Sequence, residues 1–197
     1  MPTTDAPPAR RPARELLLEA AARLFYARGV AATGIDTITA EAGVAKKSLY
    51  NNFSSKAELL AAYLEARHEE WLDLYRSRLE AAATPADRVL AVFDAYLDHA
   101  NSAYQHGFRG CGLLNAAAEL PAGNPGRQAV RKHKEEVEEL LAQHLRDLLP
   151  DDPKRAAGLA PHLSFLLEGA LARAGLEGGA QRLREARLIA AQMLAAQ

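Results

Sequence analysis

Apolar residues recur along the chain at intervals of three and four, which is the spacing of one face of an α-helix. The first such run begins at Ala13 and ends before Gly29, and no proline interrupts residues 13–83. Later prolines and glycines divide the remainder into separate helical segments. The pattern predicts an all-α protein of about nine helices, and the excess of Leu and Ala over Val and Ile supports helices over sheets.

Two short helical segments follow the first helix. Thr33 with Asp36 predicts a capping box, and the helix that it opens is expected to end at Gly43, where glycine can take a left-handed turn. The second short segment carries Leu49 and Phe53 as its apolar residues. Two short helices about a glycine turn, braced by longer helices, are typical of a helix-turn-helix.

The rest of the chain is predicted to form longer helices. Ser55 with Glu58 predicts a second capping box, which opens a helix that extends to about residue 80. Further helices are expected from residue 85 to the bend near 106–112, and over 113–120, 128–149, 160–176 and 180–196. Residues 1–12 hold four prolines and read as a disordered arm. The predicted domains are therefore 13–56, a helix-turn-helix domain, and 57–197, a larger helical domain.

Charge changes this picture locally. The chain of 197 residues has a formal net charge of -1, yet the segment GVAKKSLYNNFSSK, residues 43–56, holds three lysines and no acid. A helix that enters a DNA major groove needs small polar and cationic residues, because it contacts base edges and phosphates. The candidate DNA-binding residues are Thr33, Lys46, Lys47, Ser48, Tyr50, Asn52 and Lys56. The alternative is an ordinary solvated helix face.

The same region resembles the TetR/AcrR-type bacterial transcriptional regulators. The matching positions are Thr33, Ile38, Ala42, Gly43, Val44, Leu49, Tyr50, Phe53, Lys56 and Leu59. The resemblance implies a dimeric repressor that binds a palindromic double-stranded DNA operator and releases it on binding a small molecule. The release is expected to work through the helix that starts at Ser55. Three residues depart from the family pattern: Ala45 replaces a capping serine, Thr39 a small apolar residue and Lys47 a frequent glycine.

The resemblance also implies that the last two helices pair with their copies in a homodimer. A helix that is apolar on more than one side supports this, because it needs more than one partner. The candidate interface residues are Leu163, Leu166, Leu167, Ala170, Leu183, Ala186, Ala190 and Met193. The alternative is an ordinary monomer core.

An effector pocket is expected between these helices and the helix that bears Trp71. The candidate ligand-binding residues are Trp71, Tyr75, Phe93, Tyr96, Phe108, Asn115, Glu119 and Phe165. Asn115 and Glu119 lie one turn apart on an apolar helix and can orient a polar ligand group. Plain core packing of the aromatic residues, and helix-end capping by the polar pair, are the alternatives.

Other functions find less support in the sequence. A single cysteine, Cys111, excludes an intramolecular disulfide and a cysteine-based zinc cage. No nucleophile, base and stabiliser stand out, and Cys111 with His106 is the nearest imitation of an active site, so no enzyme, metal or cofactor is expected. No apolar run reaches the roughly 18 residues of a membrane span, and a cytoplasmic protein is expected. A thiol-based redox sensor acting through Cys111 and a constitutive DNA-binding protein remain alternatives to the ligand-responsive regulator.

Overall fold

The computed structural model describes residues 11–102 and 107–195. Within these residues it holds nine α-helices and no strand. They are α1 (Ala13–Arg28), α2 (Ile35–Ala42), α3 (Lys46–Asn52), α4 (Lys56–Glu80), α5 (Pro85–Asn101), α6 (Gly112–Ala118), α7 (Pro125–Leu148), α8 (Pro153–Glu177) and α9 (Gln181–Ala195). The predicted all-α fold class is confirmed. The predicted disordered arm falls mostly on residues 1–10, which lie outside the described residues.

The chain divides into two compact units, and the division falls inside α4 between Tyr63 and Leu64. The first unit therefore includes the first two turns of α4, which the sequence analysis assigned to the second domain.

The first unit packs α1, α2, α3 and the start of α4 around one apolar core. Leu17, Ile38 and Leu49 are each fully buried there. Phe25 meets Tyr63 edge to face, with ring centroids 5.4 Å apart. The turn between α2 and α3 depends on Gly43, whose φ of 65° is left-handed, and its N–H donates to the carbonyls of Ala40 and Thr39. A glycine is favoured at this position because a Cβ would be strained.

The second unit is built on α5, α7, α8 and α9, with α6 and the remainder of α4. Its largest buried aliphatic residues are Leu141, Leu145, Leu163 and Leu167. The bend before α6 passes close to α8, since a Cβ on Gly175 would lie 2.7 Å from the backbone N of Gly110. Two backbones meet there with no room for a side chain.

Two helix starts differ from the prediction, and proline explains both. α7 begins at Pro125 instead of residue 128, and α8 begins at Pro153 instead of residue 160. Proline is well tolerated in the first turn, where its missing N–H would have no partner. Asn124 and Asp152 cap these starts, accepting from the N–H groups of Gly126 and Arg155 respectively. Pro153 therefore opens a helix that the sequence analysis placed too late.

Candidate nucleic-acid interface and regulatory cavity

The outer face of α3 is basic and polar. Lys46, Lys47 and Tyr50 are exposed, Ser48 is half-buried, and Leu49 is fully buried and anchors the helix to the core. No acidic residue lies on α3. The face is therefore anchored from behind by Leu49 and carries two ammonium groups and hydroxyls in front.

The two lysines of this face have different surroundings. Lys46 Nζ lies 2.7 Å from the Asp36 carboxylate on α2, and that hydrogen bond raises the pKa of Lys46 above its ordinary value. Lys47 has no ion-pair partner among the described residues. Lys47 is thus the more available cation, and Lys46 also bridges α2 and α3.

Asn52 and Lys56 use their polar groups inside the unit. The Asn52 side-chain amide donates to the Ser48 carbonyl at 2.8 Å. The half-buried Lys56 donates from Nζ to the Val30 carbonyl at 2.6 Å and ties the start of α4 to the turn before α2. Both residues stay predicted phosphate contacts, but each already has a structural role.

Thr33 corrects the sequence analysis. Gly34 is the N-cap of α2 and no side chain caps that helix. Thr33 is buried, 1% exposed, and its hydroxyl donates to the Gly29 carbonyl at 2.6 Å. The predicted capping box at Thr33 is wrong, and its side chain offers no surface to a phosphate. A Thr three residues before an acid is compatible with a capping box and also with a hydroxyl that bonds to a preceding carbonyl. The spacing of the two residues could not distinguish these arrangements.

The start of α4 carries the second predicted cap in an altered form. The Ser55 hydroxyl accepts from the N–H of Glu58 at 3.1 Å, as a capping box requires. The Glu58 carboxylate reaches one residue further back and accepts from both the N–H and the hydroxyl of Ser54. These bonds lower the pKa of Glu58 below its ordinary value.

Two departures from the family pattern have visible consequences. Ala45 is the N-cap of α3, and no side chain caps that helix, as expected. Thr39 is buried, and its hydroxyl donates to the Asp36 carbonyl at 3.1 Å, so the polar group is satisfied within α2.

The aromatic residues predicted for the pocket are buried in the second unit. Trp71, Tyr75, Phe93, Tyr96 and Phe108 are each less than 5% exposed. Trp71 stacks on Tyr75 with centroids 5.6 Å apart and lies 5.2 Å from Tyr96. These rings form a continuous aromatic cluster, and the structure places them in the core.

Three other pocket residues lie elsewhere than predicted. Phe165 is 70% exposed, because it lies on the outer face of α8. The Asn115 amide donates to the Arg109 carbonyl at 2.9 Å, so it braces the bend before α6. Glu119 is exposed at the C-cap of α6. The prediction for Phe165 is wrong, and the Asn115 amide binds the chain before α6 and caps no helix end.

A cavity of ≈ 370 Å³ opens between α4, α6 and α7. Its lining residues are Leu64, Glu65, His68, Leu113, Pro125, Gln128, Ala129, Lys132, His133 and Glu136. The volume falls within the range of small-molecule sites. None of these lining residues is among the ligand-binding candidates named from the sequence.

A chain of polar side chains runs from this cavity into the core. His68 Nδ1 lies 3.0 Å from His133 Nδ1, and His133 Nε2 lies 3.3 Å from the Tyr96 hydroxyl. Lys134 donates to that hydroxyl at 3.2 Å and pairs with Glu168 on α8 at 2.7 Å. The chain thus links residues of α4, α5, α7 and α8.

Burial sets the protonation of this chain. It lowers the pKa of His133 to about 3, with Lys134 and His68 adding to the effect, so His133 stays neutral at physiological pH. Burial raises the pKa of Tyr96. Burial alone would lower the pKa of Lys134, but Cys111, Tyr96 and Glu168 hold it above its ordinary value, and the ammonium stays charged. The histidines were missed as a pair because 65 residues separate them.

Six of the eight residues predicted for the dimer interface point into the chain's own core. Leu163, Leu167, Ala170, Leu183, Ala186 and Ala190 are buried within the chain, which corrects their assignment, and Leu166 and Met193 are half-buried. The opposite face exposes Phe165, Leu176, Leu188 and Ile189. Helical spacing selects the apolar stripe that packs on the chain's own core. The residues of the exposed apolar face were therefore not among those predicted.

Cys111 is a free, buried thiol at the N-cap of α6. Its suggested partner His106 lies outside the described residues. Across the ranges 11–102 and 107–195, no group of three or more His, Cys, Asp or Glu residues is placed to hold a metal ion. In the same ranges, no helix combines the length and apolar character that crossing a membrane requires.

These features define a class: an all-helical regulator with an N-terminal helix-turn-helix and a separate helical unit that holds a cavity. The family model "bacterial regulatory proteins, tetR family" matches residues 17–63. A solved TetR-family transcriptional regulator from Streptomyces coelicolor is 32% identical, with a TM-score of 0.82 over 92% of this chain and 93% of that one. The chain belongs to the TetR family.

The curated relatives match only in part. The transcriptional activator FasR of Mycolicibacterium smegmatis is 38% identical over 43% of this chain and 39% of that protein. The transcriptional repressor KstR2 of the same organism is 33% identical over 48% of this chain and 45% of that protein. The matches therefore span less than half the length of these relatives, one an activator and the other a repressor.

Proposed function

We propose that this protein is a ligand-responsive transcriptional regulator, a repressor that binds a palindromic operator as a homodimer and releases it when a small molecule binds. The observation that carries the proposal is the basic outer face of α3, with Lys46 and Lys47 exposed on a helix anchored by buried Leu49. Such a face fits a major groove, where lysines contact base edges or phosphates.

Footprinting on the DNA that flanks the gene tests DNA binding. We expect protection of two half-sites about 34–36 Å apart, or a multiple of that spacing, since each subunit of a two-fold dimer presents one α3. Lys47→Ala is expected to relax preference at particular base pairs by about 1–3 kcal/mol. Protection of a single half-site, or unchanged base preference in the variant, contradicts the proposal.

The dimer is supported by the exposed apolar face of α8 and α9. Phe165, Leu176 and Leu188 are 70%, 84% and 60% exposed. Apolar side chains grouped on adjacent helices are typical of a protein interface. Sedimentation of Phe165→Glu should show monomers where the parent chain shows dimers, while Glu135→Lys, an exposed change on α7, should leave the dimer intact.

The cavity between α4, α6 and α7 supports the small-molecule part of the proposal. It lies in the second unit, whereas α3 lies in the first, and α4 is one continuous helix that belongs to both. A ligand shifts operator binding only by its differential affinity for the bound and released states, so a hundredfold loss needs about 2.7 kcal/mol. Operator DNA must then weaken ligand binding by the same factor, which calorimetry measures.

A thiol-based redox sensor is the second candidate. It is favoured by the position of Cys111, a buried thiol at the N-cap of α6. Oxidation of a thiol in such a place would introduce a polar group beside the core. Peroxide treatment that leaves operator binding intact removes this candidate. If neither a small molecule nor an oxidant weakens operator binding, the protein is a constitutive DNA-binding protein.

A further inference from the structure

The walls of the cavity combine an apolar part with an acidic part. Leu64 and Leu113 are buried on its inner side, whereas Pro125, Gln128 and Ala129 form an exposed rim. Glu65 and Glu136 contribute carboxylates, and His68 and His133 contribute imidazoles. A ligand in this cavity therefore meets aliphatic carbon on one side and oxygen and nitrogen atoms on the other.

One assignment of protons satisfies the polar chain behind the cavity. Lys134 donates to the Tyr96 oxygen, and the Tyr96 hydroxyl donates to His133 Nε2. His133 Nδ1–H then donates to His68 Nδ1. This leaves an N–H on His68 Nε2, which points to the Glu136 carboxylate 3.7 Å away. With this assignment every imidazole lone pair is used, and neither histidine offers a free acceptor to a ligand.

The charged acceptors that remain in the cavity are the two carboxylates, beside the neutral amide oxygen of Gln128. Glu65 has no partner within the described part of the chain, and Glu136, 48% exposed, has only the long contact with His68. Both carboxylates are exposed and keep part of their hydration when the cavity is filled. A cation that lies beside them is attracted by two negative charges, whereas an anion is repelled by them.

Lys132 is the one cation in the lining. It is exposed, and a long flexible stem lets its ammonium remain in water while a ligand occupies the cavity. With two carboxylates and one lysine, the cavity walls carry a formal charge of -1.

We infer that the cavity takes a small organic amine, whose apolar part lies against Leu64 and Leu113 and whose protonated nitrogen lies between Glu65 and Glu136. This inference rests on the proposed function, since it names the chemical class of the regulator's effector.

Trp71 provides a direct measurement of binding without DNA. It is the single tryptophan of the chain, and its ring centroid lies 5.3 Å from that of His133, which lines the cavity. The full chain is titrated at neutral pH with hexylamine, hexanol and hexanoate, which share an alkyl tail and differ in the head group. We expect saturable fluorescence changes in which hexylamine binds about tenfold tighter than hexanol, because charged hydrogen bonds contribute more than neutral ones. Hexanoate is expected to bind least.

Paired variants assign the preference to the carboxylates. Glu65→Gln combined with Glu136→Gln should remove the preference for hexylamine and leave hexanol binding unchanged. Glu135→Gln is the matched control, because Glu135 is exposed on α7, pairs with Arg131 at 3.3 Å and does not line the cavity. Its titration should match that of the parent chain.

Three results overturn the inference: hexanol or hexanoate binding as tightly as hexylamine, no saturable change with any of the three, or an unchanged amine preference in the double variant. Operator binding is measured separately. A chain that binds DNA but not the amine overturns only this inference, whereas a chain that binds the amine but no DNA overturns the proposed function.

Discussion

The two units of the chain place their polar groups in opposite ways. In the first unit the lysines of α3 lie on the surface, and among its described residues the buried polar side chains are Thr33 and Thr39, whose hydroxyls bond to nearby carbonyls. In the second unit His133, Tyr96 and Lys134 form a chain through the interior. A surface that must meet a nucleic acid can be built from neighbours in sequence, whereas an interior that must recognise a small molecule is assembled from distant helices.

The largest expected difference in stability between variants of the two units comes from breaking the interior ion pair of the second unit. Lys134 is 18% exposed and Glu168 is 28% exposed. Lys134→Met leaves the Glu168 carboxylate without its partner, and we expect a loss of about 3 kcal/mol in the free energy of unfolding. Lys134→Met with Glu168→Leu should recover most of that loss. Lys47→Met in the first unit should change stability by less than about 0.5 kcal/mol. Urea unfolding of the parent chain and the three variants measures these free energies. Equal losses for Lys134→Met and Lys47→Met would contradict the expected difference between the two units.

The next largest effect on stability is expected where the backbones of Gly110 and Gly175 meet in the second unit. Gly175→Ala adds a Cβ 2.7 Å from the backbone N of Gly110, and overpacking of this kind destabilises by about 1–3 kcal/mol. Gly158→Ala is the control on the same helix, because a Cβ there meets nothing within 4 Å. It should stabilise the chain by up to about 1 kcal/mol through helix propensity. A stable Gly175→Ala variant would show that the bend and α8 move apart easily.

Acid should affect the second unit through its buried histidines. Burial lowers the pKa of His99 to about 4 and that of His133 to about 3, from an ordinary value of 6.5. The unfolded chain therefore binds more protons below pH 6.5. The free energy of unfolding is therefore highest above pH 6.5. It falls as the pH falls towards 4, by about 1.4 kcal/mol per pH unit for each of these histidines. Urea midpoints measured from pH 7 to 5 test this slope. His133→Gln should flatten it, whereas exposed His162→Gln should not.

The smallest expected effect concerns Lys56 in the first unit. Lys56→Ala removes the hydrogen bond to the Val30 carbonyl, which should lower stability by about 1 kcal/mol. If Lys56 also contacts a phosphate, the slope of operator affinity against salt should fall by about 1. Tyr50→Phe is the companion variant, and it should weaken binding to all sequences alike without changing the salt slope. A change of base preference in Lys56→Ala would contradict a backbone contact.

The same contrast explains what the sequence could predict. Gly29, Gly43 and the segment around Lys46 are local signals, and α1 to α4 lie where those signals placed them. Thr33 failed because a hydroxyl can cap a helix start or bond to a preceding carbonyl, and spacing does not distinguish the two.

In the second unit the pattern found helices but not their contacts. His68 and His133 are neighbours only after α4 packs against α7. Phe165 and Leu163 lie two residues apart on α8, yet one is 70% exposed and the other is fully buried. Periodicity shows that a helix has apolar faces, and only the packed structure shows which face meets the chain's own core.

The uncapped start of α3 has a kinetic consequence. The helix has seven residues, its N-cap Ala45 has no side-chain acceptor for the first amides, and Leu49 is the buried residue of α3. The ion pair of Lys46 with Asp36 also connects the helix to α2. A short helix with free terminal amides frays readily. Deuterium should therefore enter the amides of Lys46 and Lys47 far sooner than those of α1. DNA that touches this helix would slow that exchange, and the entropy lost in ordering it would oppose association with every sequence, matched or not.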